Sequence, residues 1–206
     1  MKRIKVLIAD DHAIVRMGLA SILGTKKDLE VVGDAEDGAD AVRKAQKLQP
    51  DVVLMDIVMP EMDGATATAE IRRLLPTTKV LILTSFGEAD GIAHALQSGA
   101  SGALMKNIDY SELVEAIREV AKGGRVIAPE IARMLKESPP VPELTDRQRE
   151  ILLSMSRGLT DADIAKQLNL TPNSVREHIT TIFNKLGAAN KTEAVAIALR
   201  KHLLKI

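Results

Sequence analysis

Two patterns of apolar and polar positions divide the chain. Through residue 125, short apolar runs alternate with longer segments whose apolar positions repeat at helical spacing. The runs at 52–55 and 80–83 are apolar throughout, as in strands that a parallel sheet buries on both faces. The pattern predicts an α/β domain with a doubly wound, parallel, five-stranded sheet. The predicted strands are 5–9, 30–34, 52–56, 79–84 and 103–106, and the predicted helices are 13–24, 37–48, 65–74, 89–97 and 110–122.

After residue 144 the spacing is helical only, and it predicts helices at 145–157, 160–167, 172–186 and 191–204. Thr145 and Gln148 have the spacing of a capping box, and Pro172 suits a first helical position. Between the two regions, Pro129 favours a short helix at 129–137, and the prolines at 138–142 end it. We therefore expect an α/β domain at 1–125, a linker at 126–142 and a small all-α domain of four helices at 143–206.

Composition and charge exclude several kinds of site and segment and are compatible with nucleic-acid binding. The chain has no cysteine, which excludes disulfides and thiolate metal sites. The apolar run at 6–9 is too short for a signal peptide or a membrane span, so a cytoplasmic location without membrane contact is expected. The zero net charge hides an asymmetry, because residues 142–206 carry 10 Lys+Arg against 7 Asp+Glu. A mildly basic second domain is compatible with nucleic acid.

Polar side chains stand where four of the predicted strands end. Asp10 and Asp11 end the first strand, Asp56 the third, Thr84 the fourth and Lys106 the fifth. The carboxyl ends of parallel strands line one crevice, so these side chains should converge. Each one alone is ordinary turn chemistry, and only the set indicates a site. Clustered carboxylates require a cation or raised pKa values, and oxygen ligands favour Mg²⁺. Asp56 then has the environment of a nucleophile toward phosphorus.

These stretches resemble the receiver domain of two-component response regulators over the whole of residues 1–125. The matching segments are 7–12 (LIADDH), 53–64 (VLMDIVMPEMDG), 83–85 (LTS) and 99–106 (GASGALMK). The resemblance implies a flavodoxin-like fold with Asp56 as phosphoacceptor and a partner histidine kinase as phosphoryl donor. It also implies Mg²⁺ bound by Asp10, Asp11, Asp56 and the backbone carbonyl of Val58. Thr84 and Lys106 would sense the phosphoryl group.

The chain departs from this family three residues before the lysine. Receivers usually carry Tyr or Phe there, and here the residue is Ala103. One hypothesis is that movement of the 84–86 loop carries the signal instead and changes a dimer surface. A second hypothesis concerns Val58 and Phe86, which in receivers flank the path of the attacking water. Two apolar side chains there should prolong the life of the phosphoryl group, unless they merely cover the core.

Residues 160–186 have the helix, turn, helix spacing of a DNA-binding motif. One stripe of the second helix is apolar, and its other face is polar, so that face is a candidate for the major groove. Arg176 can reach guanine or phosphate, Asn173 or Asn184 can read adenine, and Glu177 can accept from cytosine. Thr180 shares that face, and His178, Lys185 and Lys191 are candidates for phosphate contacts. An antiparallel helix pair with a polar face is, by itself, more often a structural feature than a DNA-binding motif.

Residues 144–204 resemble the LuxR-type DNA-binding domain nearly from end to end. The matching segments are 144–152 (LTDRQREIL), 158–160 (GLT), 164–165 (IA), 168–171 (LNLT), 174–179 (SVREHI) and 185–194 (KLGAANKTEA). A receiver followed by this domain resembles the NarL/FixJ class of transcription regulators. The resemblance implies that the last helix pairs two such domains in a homodimer. A two-fold dimer reads a palindromic operator in double-stranded DNA.

The expected function is therefore a transcription regulator, not an enzyme, in which phosphorylation of Asp56 promotes dimerisation and operator binding. One alternative is a DNA-binding regulator with an idle acidic pocket, which the missing aromatic at Ala103 keeps open. A less favoured alternative is an aspartyl-phosphate phosphohydrolase. Such enzymes need a carboxylate two residues after the nucleophile as general acid, and here that residue is Val58.

Overall fold

The structure is a computed structural model that describes residues 3–85, 89–137, 144–200 and 203–204. It divides into two compact units, Met1–Pro140 and Val141–Ile206. No helix within the described ranges is both long enough and apolar enough to cross a membrane.

The first unit is a parallel sheet with helices on both faces. Its strands are β1 (Ile4–Ala9), β2 (Leu29–Ala35), β3 (Val52–Asp56), β4 (Lys79–Thr84), β5 (Gly102–Met105) and β6 (Val126–Ile127). Its helices are α1 (Ala13–Gly24), α2 (Gly38–Leu48), α3 (Gly64–Leu74), α4 (Ala89–Gln97), α5 (Tyr110–Ala121) and α6 (Pro129–Glu137). The spatial order of the strands is β2-β1-β3-β4-β5-β6, and every neighbouring pair is parallel. This is the doubly wound architecture that the alternating pattern predicts.

Alternate residues of the central strands enter two separate cores. Leu7 and Met55 belong to the cluster under α2, α3, α4 and α6, whereas Ile8 and Leu54 belong to the cluster under α1 and α5. Neighbouring strand residues point to opposite faces, so both faces need apolar side chains. This explains why the runs at 52–55 and 80–83 are apolar without a break.

Within the described residues, the sheet consists of the five predicted strands and one short additional edge strand, β6. Val126 donates its N–H to the Ser101 carbonyl at 3.2 Å, and Ala128 donates to the Ala103 carbonyl at 3.0 Å. The segment that the sequence predicts as a linker is thus hydrogen-bonded to β5 at its start. Its helix, α6, buries Ile131 completely in the core that also contains Ala103. A strand of two residues is too short to show periodicity, which is why the pattern does not reveal it.

The second unit contains four helices in its described part. They are α7 (Asp146–Ser156), α8 (Asp161–Gln167), α9 (Pro172–Leu186) and α10 (Lys191–Arg200). The capping box of α7 is present: the Thr145 side chain accepts from the Gln148 N–H, and the Gln148 side chain accepts from the Thr145 N–H. The predicted end of the last helix at 204 was too late, because Leu203 and Leu204 are not helical. Leu204 nevertheless closes the core of this unit with 9% of its surface exposed.

Candidate functional site

The predicted acidic residues lie together at the carboxyl ends of β1 and β3. Chain order reverses at these neighbouring strands, which opens a crevice beyond their ends. Asp10 directly follows β1, Asp56 ends β3, and both are almost fully buried. Asp11 is the exposed member of the set. Ligand atoms of Asp10, Asp11, Asp56 and the neighbouring His12 all lie within 4.8 Å of one another.

Lys106 joins two of these carboxylates. It follows β5 directly, and its N–H donates to the Thr84 carbonyl at 2.8 Å. Its Nζ lies 2.7 Å from Asp56 Oδ2 and 2.8 Å from Asp10 Oδ2. Burial of the ammonium opposes its charge, but the hydrogen bonds to Asp10 and Asp56 outweigh burial and raise the pKa of Lys106. Lys106 is therefore cationic at neutral pH and offsets part of the negative charge.

Two basic side chains near Asp10, those of His12 and Arg16, were not predicted as part of the site. His12 donates its backbone N–H to Asp10 Oδ1 at 2.9 Å, and its Nδ1 lies 2.6 Å from Asp11 Oδ1. Arg16 donates to the backbone carbonyl of Asp10 and to Asp34 Oδ2, both at 2.7 Å. These contacts fix the turn between β1 and α1. Arg16 stands one helical turn after His12, and that spacing is the only sequence signal for it.

The loop after β3 closes tightly around Asp56. Asp56 Oδ1 accepts the N–H of Ile57 at 2.8 Å, and Gly64 donates its N–H to the Ile57 carbonyl at 2.9 Å. A Cβ on Gly64 would lie 1.8 Å from the backbone oxygen of Asp56. Only glycine fits there without a backbone shift, a requirement that sequence reasoning did not identify.

Thr84 and Ala103, the positions of the expected relay, lie on neighbouring strands. Thr84 ends β4 fully buried, and its hydroxyl lies 3.3 Å from the Ser85 carbonyl. Ala103 lies within β5, also fully buried, and pairs with Ile82 of β4. Phe86, which carries part of the signalling hypothesis and of the lifetime hypothesis, lies outside the described residues. The Val58 side chain is 58% exposed. The ligand role of the Val58 carbonyl stays a prediction.

The donor set of this pocket fits a divalent cation. Three carboxylates against the single ammonium of Lys106 leave an excess of negative charge in a largely buried crevice. Carboxylate oxygens are the ligands that Mg²⁺ and similar hard cations prefer. The exposed side of Asp11 gives such an ion a route from solvent. The arrangement suits phosphoryl chemistry at Asp56, because the ammonium of Lys106 lies 2.7 Å from Asp56 Oδ2.

In the second unit, α8 and α9 form the helix pair that the sequence predicts. Thr160 starts α8 with a capping box, and Thr171 starts α9 by accepting from the Ser174 N–H. Gly187 ends α9 with φ of 67°, a left-handed conformation that favours glycine. Of the predicted apolar stripe of α9, Val175, Ile179, Ile182 and Leu186 are buried. Phe183, the fifth member, is half-buried against the same core.

The opposite face of α9 is open to solvent. Of the side chains predicted to contact DNA, Asn173, Arg176, Glu177, Thr180 and Asn184 are exposed, and His178 and Lys185 are half-buried. Some of them already have partners within the unit. Asn173 Nδ2 lies 3.4 Å from Glu177 Oε1, and Lys185 Nζ lies 2.9 Å from Gln148 Oε1.

An acidic residue that the sequence reasoning passed over contacts two of the candidate cations. Asp161 is the first residue of α8. Its Oδ1 lies 2.7 Å from Lys191 Nζ, and its Oδ2 lies 3.8 Å from Arg176 Nε. The partners come from α9 and α10, so no short-range pattern in the sequence points to this cluster.

Two protein-family models match the chain. Residues 6–118, more than half of the chain, match the response regulator receiver domain. Residues 142–198 match the bacterial regulatory proteins of the luxR family. The two matches fall on the first and the second unit.

The chain also matches known response regulators over nearly their whole length. The chain is 40% identical over 207 residues to the response regulator protein VraR of Staphylococcus epidermidis, covering 98% of this chain and 99% of the relative. Among solved structures, the response regulator ChrA of a heme-sensing two-component system is 35% identical, with a TM-score of 0.59, over 99% of this chain and 100% of that one. A structure of two RcsB dimers bound to two parallel DNAs is 25% identical, with a TM-score of 0.65, over 97% of this chain and 99% of that one.

These matches and the acidic pocket agree on one class of protein, which is a regulator of transcription rather than an enzyme. The chain belongs to the two-component response regulators, as a DNA-binding transcription regulator that joins a receiver domain to a LuxR-type helix-turn-helix domain.

Proposed function

We propose that Asp56 accepts a phosphoryl group from a partner histidine kinase and that this modification switches DNA binding on. The observation that carries the proposal is the bridge from Lys106 Nζ to the buried carboxylates of Asp56 and Asp10. A carboxylate oxygen of Asp56 attacks phosphorus, the bond from phosphorus to the donor histidine nitrogen breaks, and an acyl phosphate forms. The phosphorylated side chain carries about −1.5 to −2 charge in place of the −1 of the carboxylate, so up to about one negative charge is added beside Lys106.

Asp10, Asp11, Asp56 and the Val58 carbonyl are the proposed ligands of Mg²⁺. When bound, the ion offsets the charge of the transferring group. The residues of the chain do the rest. Lys106 supplies a fixed positive charge, the Ile57 N–H orients Asp56 Oδ1, and the Thr84 hydroxyl is the proposed hydrogen-bond donor to the phosphoryl group. Thr84 and Lys106, on adjacent strand ends, then report the modification to the α4 side of the domain.

In the second unit, α9 is the proposed recognition helix. Its exposed face, with Asn173, Arg176, Glu177, Thr180 and Asn184, is proposed to enter the major groove. His178, Lys185 and Lys191 are the proposed phosphate contacts. RcsB binds DNA as dimers in its solved structure. By analogy we propose a homodimer, formed on phosphorylation and paired through α10, that reads a palindromic operator in double-stranded DNA. Because the proposed target is DNA, we propose that the protein acts in the bacterial cytoplasm.

One experiment tests the switch. The protein is treated with acetyl phosphate and Mg²⁺, and its mass, its oligomeric state and its DNA affinity are measured beside an Asp56→Asn variant. The proposal expects one lasting phosphoryl adduct, a dimer and tighter DNA binding, all absent in the variant. An unmodified chain that binds DNA equally well would instead indicate a regulator with an idle pocket. Rapid release of phosphate would indicate turnover, which the apolar Val58 two residues after Asp56 disfavours.

The metal requirement is tested separately from the switch. Excess EDTA is expected to abolish the mass increase, and Mg²⁺ is expected to restore it. Asp10→Asn should raise the Mg²⁺ concentration needed for half-maximal modification. Modification that proceeds equally fast in EDTA would contradict the metal site and leave the phosphoacceptor role of Asp56 standing.

A further inference from the structure

We propose that Asp161 lowers the affinity of the second unit for DNA by holding two cations that otherwise bind phosphate. The inference rests on the proposed function, because its readout is binding to duplex DNA. It assigns a role to a residue that belongs neither to the phosphoacceptor pocket nor to the predicted set of DNA contacts.

The geometry shows one carboxylate shared by two cations. Each oxygen of Asp161 faces a different partner, with Lys191 Nζ at 2.7 Å and Arg176 Nε at 3.8 Å. The three residues come from α8, α10 and α9. Asp163, two residues further on, is committed instead to the capping box of α8 through Thr160. Asp161 is therefore the acid of this turn that acts on cations of other helices.

The position of the cluster gives it an effect on DNA. In a helix-turn-helix, the first helix crosses the DNA backbone while the second enters the groove. Here α8 is the first helix and carries Asp161, and α9 is the second and carries Arg176. Phosphate must replace the Asp161 carboxylate as the partner of Arg176 and Lys191, and the carboxylate itself repels phosphate.

The exposure of the cluster limits the size of the effect. The side chains of Asp161, Lys191 and Arg176 are 30%, 42% and 69% exposed. Ion pairs at such positions are weak, so phosphate displaces Asp161 without a large cost. Asp161 is thus expected to weaken binding by about two- to tenfold rather than to prevent it. A weak single unit makes tight binding depend on two linked units, which is the condition that dimerisation on phosphorylation supplies.

The test measures the salt dependence of binding. Full-length Asp161→Asn and wild type, both unphosphorylated, are titrated into a fluorescently labelled 30-base-pair duplex of mixed sequence, between about 50 and 200 mM KCl, where phosphate contacts change affinity strongly. The variant is expected to bind about two- to tenfold more tightly. The slope of log K against log[KCl] is expected to steepen, by at most about 1 for each cation that Asp161 still holds in the wild-type complex.

Asp146→Asn is the matched control. It makes the same change in net charge, its side chain is 97% exposed, and it pairs with Arg149 of its own helix, which is not among the predicted DNA contacts. Its affinity and slope are expected to stay near those of wild type. Circular dichroism verifies that each variant is folded, and Asp161→Ser repeats the test if Asp161→Asn is not.

A second arm identifies the partners. In an Arg176→Gln, Lys191→Gln background, Asp161→Asn is expected to bring no further gain, because the cations it releases are absent. A gain that persists there, or one equal to that of Asp146→Asn, would show a general charge effect and overturn the proposal. Weaker binding by Asp161→Asn would overturn it too, since Asp161 would then position the cations for DNA. If unphosphorylated wild type does not bind the duplex at any of these salt concentrations, both proteins are titrated again after acetyl phosphate treatment. Failure of phosphorylated wild type to bind would refute the proposed function.

Discussion

Replacement of Lys106 by methionine tests how much the pocket depends on its ammonium. The change keeps most of the aliphatic volume and leaves Asp10 and Asp56 facing each other without their shared cation. Removing one partner of a fully buried ion pair costs about 3–5 kcal/mol, and removing one of an exposed pair costs about 1 kcal/mol or less. The Lys106 side chain is 20% exposed and its partners 3% and 4%. We therefore expect Lys106→Met to lower the free energy of unfolding of the first unit by about 2–4 kcal/mol when EDTA is present.

The aromatic content of the chain allows the stability of the first unit to be measured separately. There is one tyrosine and no tryptophan, and Tyr110 begins α5 in the first unit. Tyrosine fluorescence during urea unfolding of the intact chain therefore reports on the first unit, while circular dichroism reports on both. A lower urea midpoint with an unchanged slope would measure a change in stability alone.

Added Mg²⁺ and the substitution Asp10→Asn both test whether the loss of stability comes from the missing charge of Lys106. Mg²⁺ should stabilise Lys106→Met more than wild type, because the ion takes over the charge that the ammonium supplied. Adding Asp10→Asn should restore part of the loss, since it removes one of the two carboxylates left without their cation. Lys122→Met, at an exposed position after α5, is the control and is expected to change stability by less than about 0.5 kcal/mol. Equal midpoints for Lys106→Met and Lys122→Met in EDTA would refute the reasoning.

Four further outcomes are expected. Because the pKa of Lys106 is raised above its ordinary 10.5 in the folded state, its stabilisation is present below that pH and is lost as pH rises through the raised value. Alkaline urea titrations should therefore narrow the gap between wild type and Lys106→Met. Gly64→Ala should destabilise the first unit by about 1–3 kcal/mol and slow modification of Asp56 by acetyl phosphate, measured by mass, because its Cβ meets the Asp56 carbonyl. Ile131→Ala should reduce the free energy of unfolding of the first unit by about 2–5 kcal/mol and so lower the tyrosine-detected urea midpoint. An unchanged midpoint would mean that α6 contributes nothing to that core. Arg176→Ala should weaken binding to duplex DNA by about 1–3 kcal/mol in anisotropy titrations, if it reads a base.

Much of the fold is predictable because its signals are local. Continuous apolar runs marked β3 and β4 to the residue, and Thr145 with Gln148 marked the start of α7. The attachment of 126–137 was not predictable in the same way. It depends on two backbone hydrogen bonds to β5 and on the burial of Ile131, which are tertiary contacts.

In the candidate site, too, some features were predictable from sequence and others depend on tertiary contacts. Strand ends predicted the convergence of Asp10, Asp56 and Lys106, because the topology of a parallel sheet brings such ends together. The need for glycine at 64 arises from a backbone approach that no spacing encodes. Likewise, Asp161 meets Lys191 across 30 positions of sequence. Exposed polar residues on helices follow no pattern that would select this pair.

The attachment of α6 has a practical consequence for domain exchange. A chimera that joins this receiver to a foreign effector, if cut after residue 125, would discard β6 and the buried Ile131 and expose the apolar surface beneath them. Cut after residue 137, the same chimera would carry the receiver's edge intact and leave only the proline-containing stretch 138–142 as the junction. The transferable module of this protein is therefore longer than the five-stranded pattern that first identifies it.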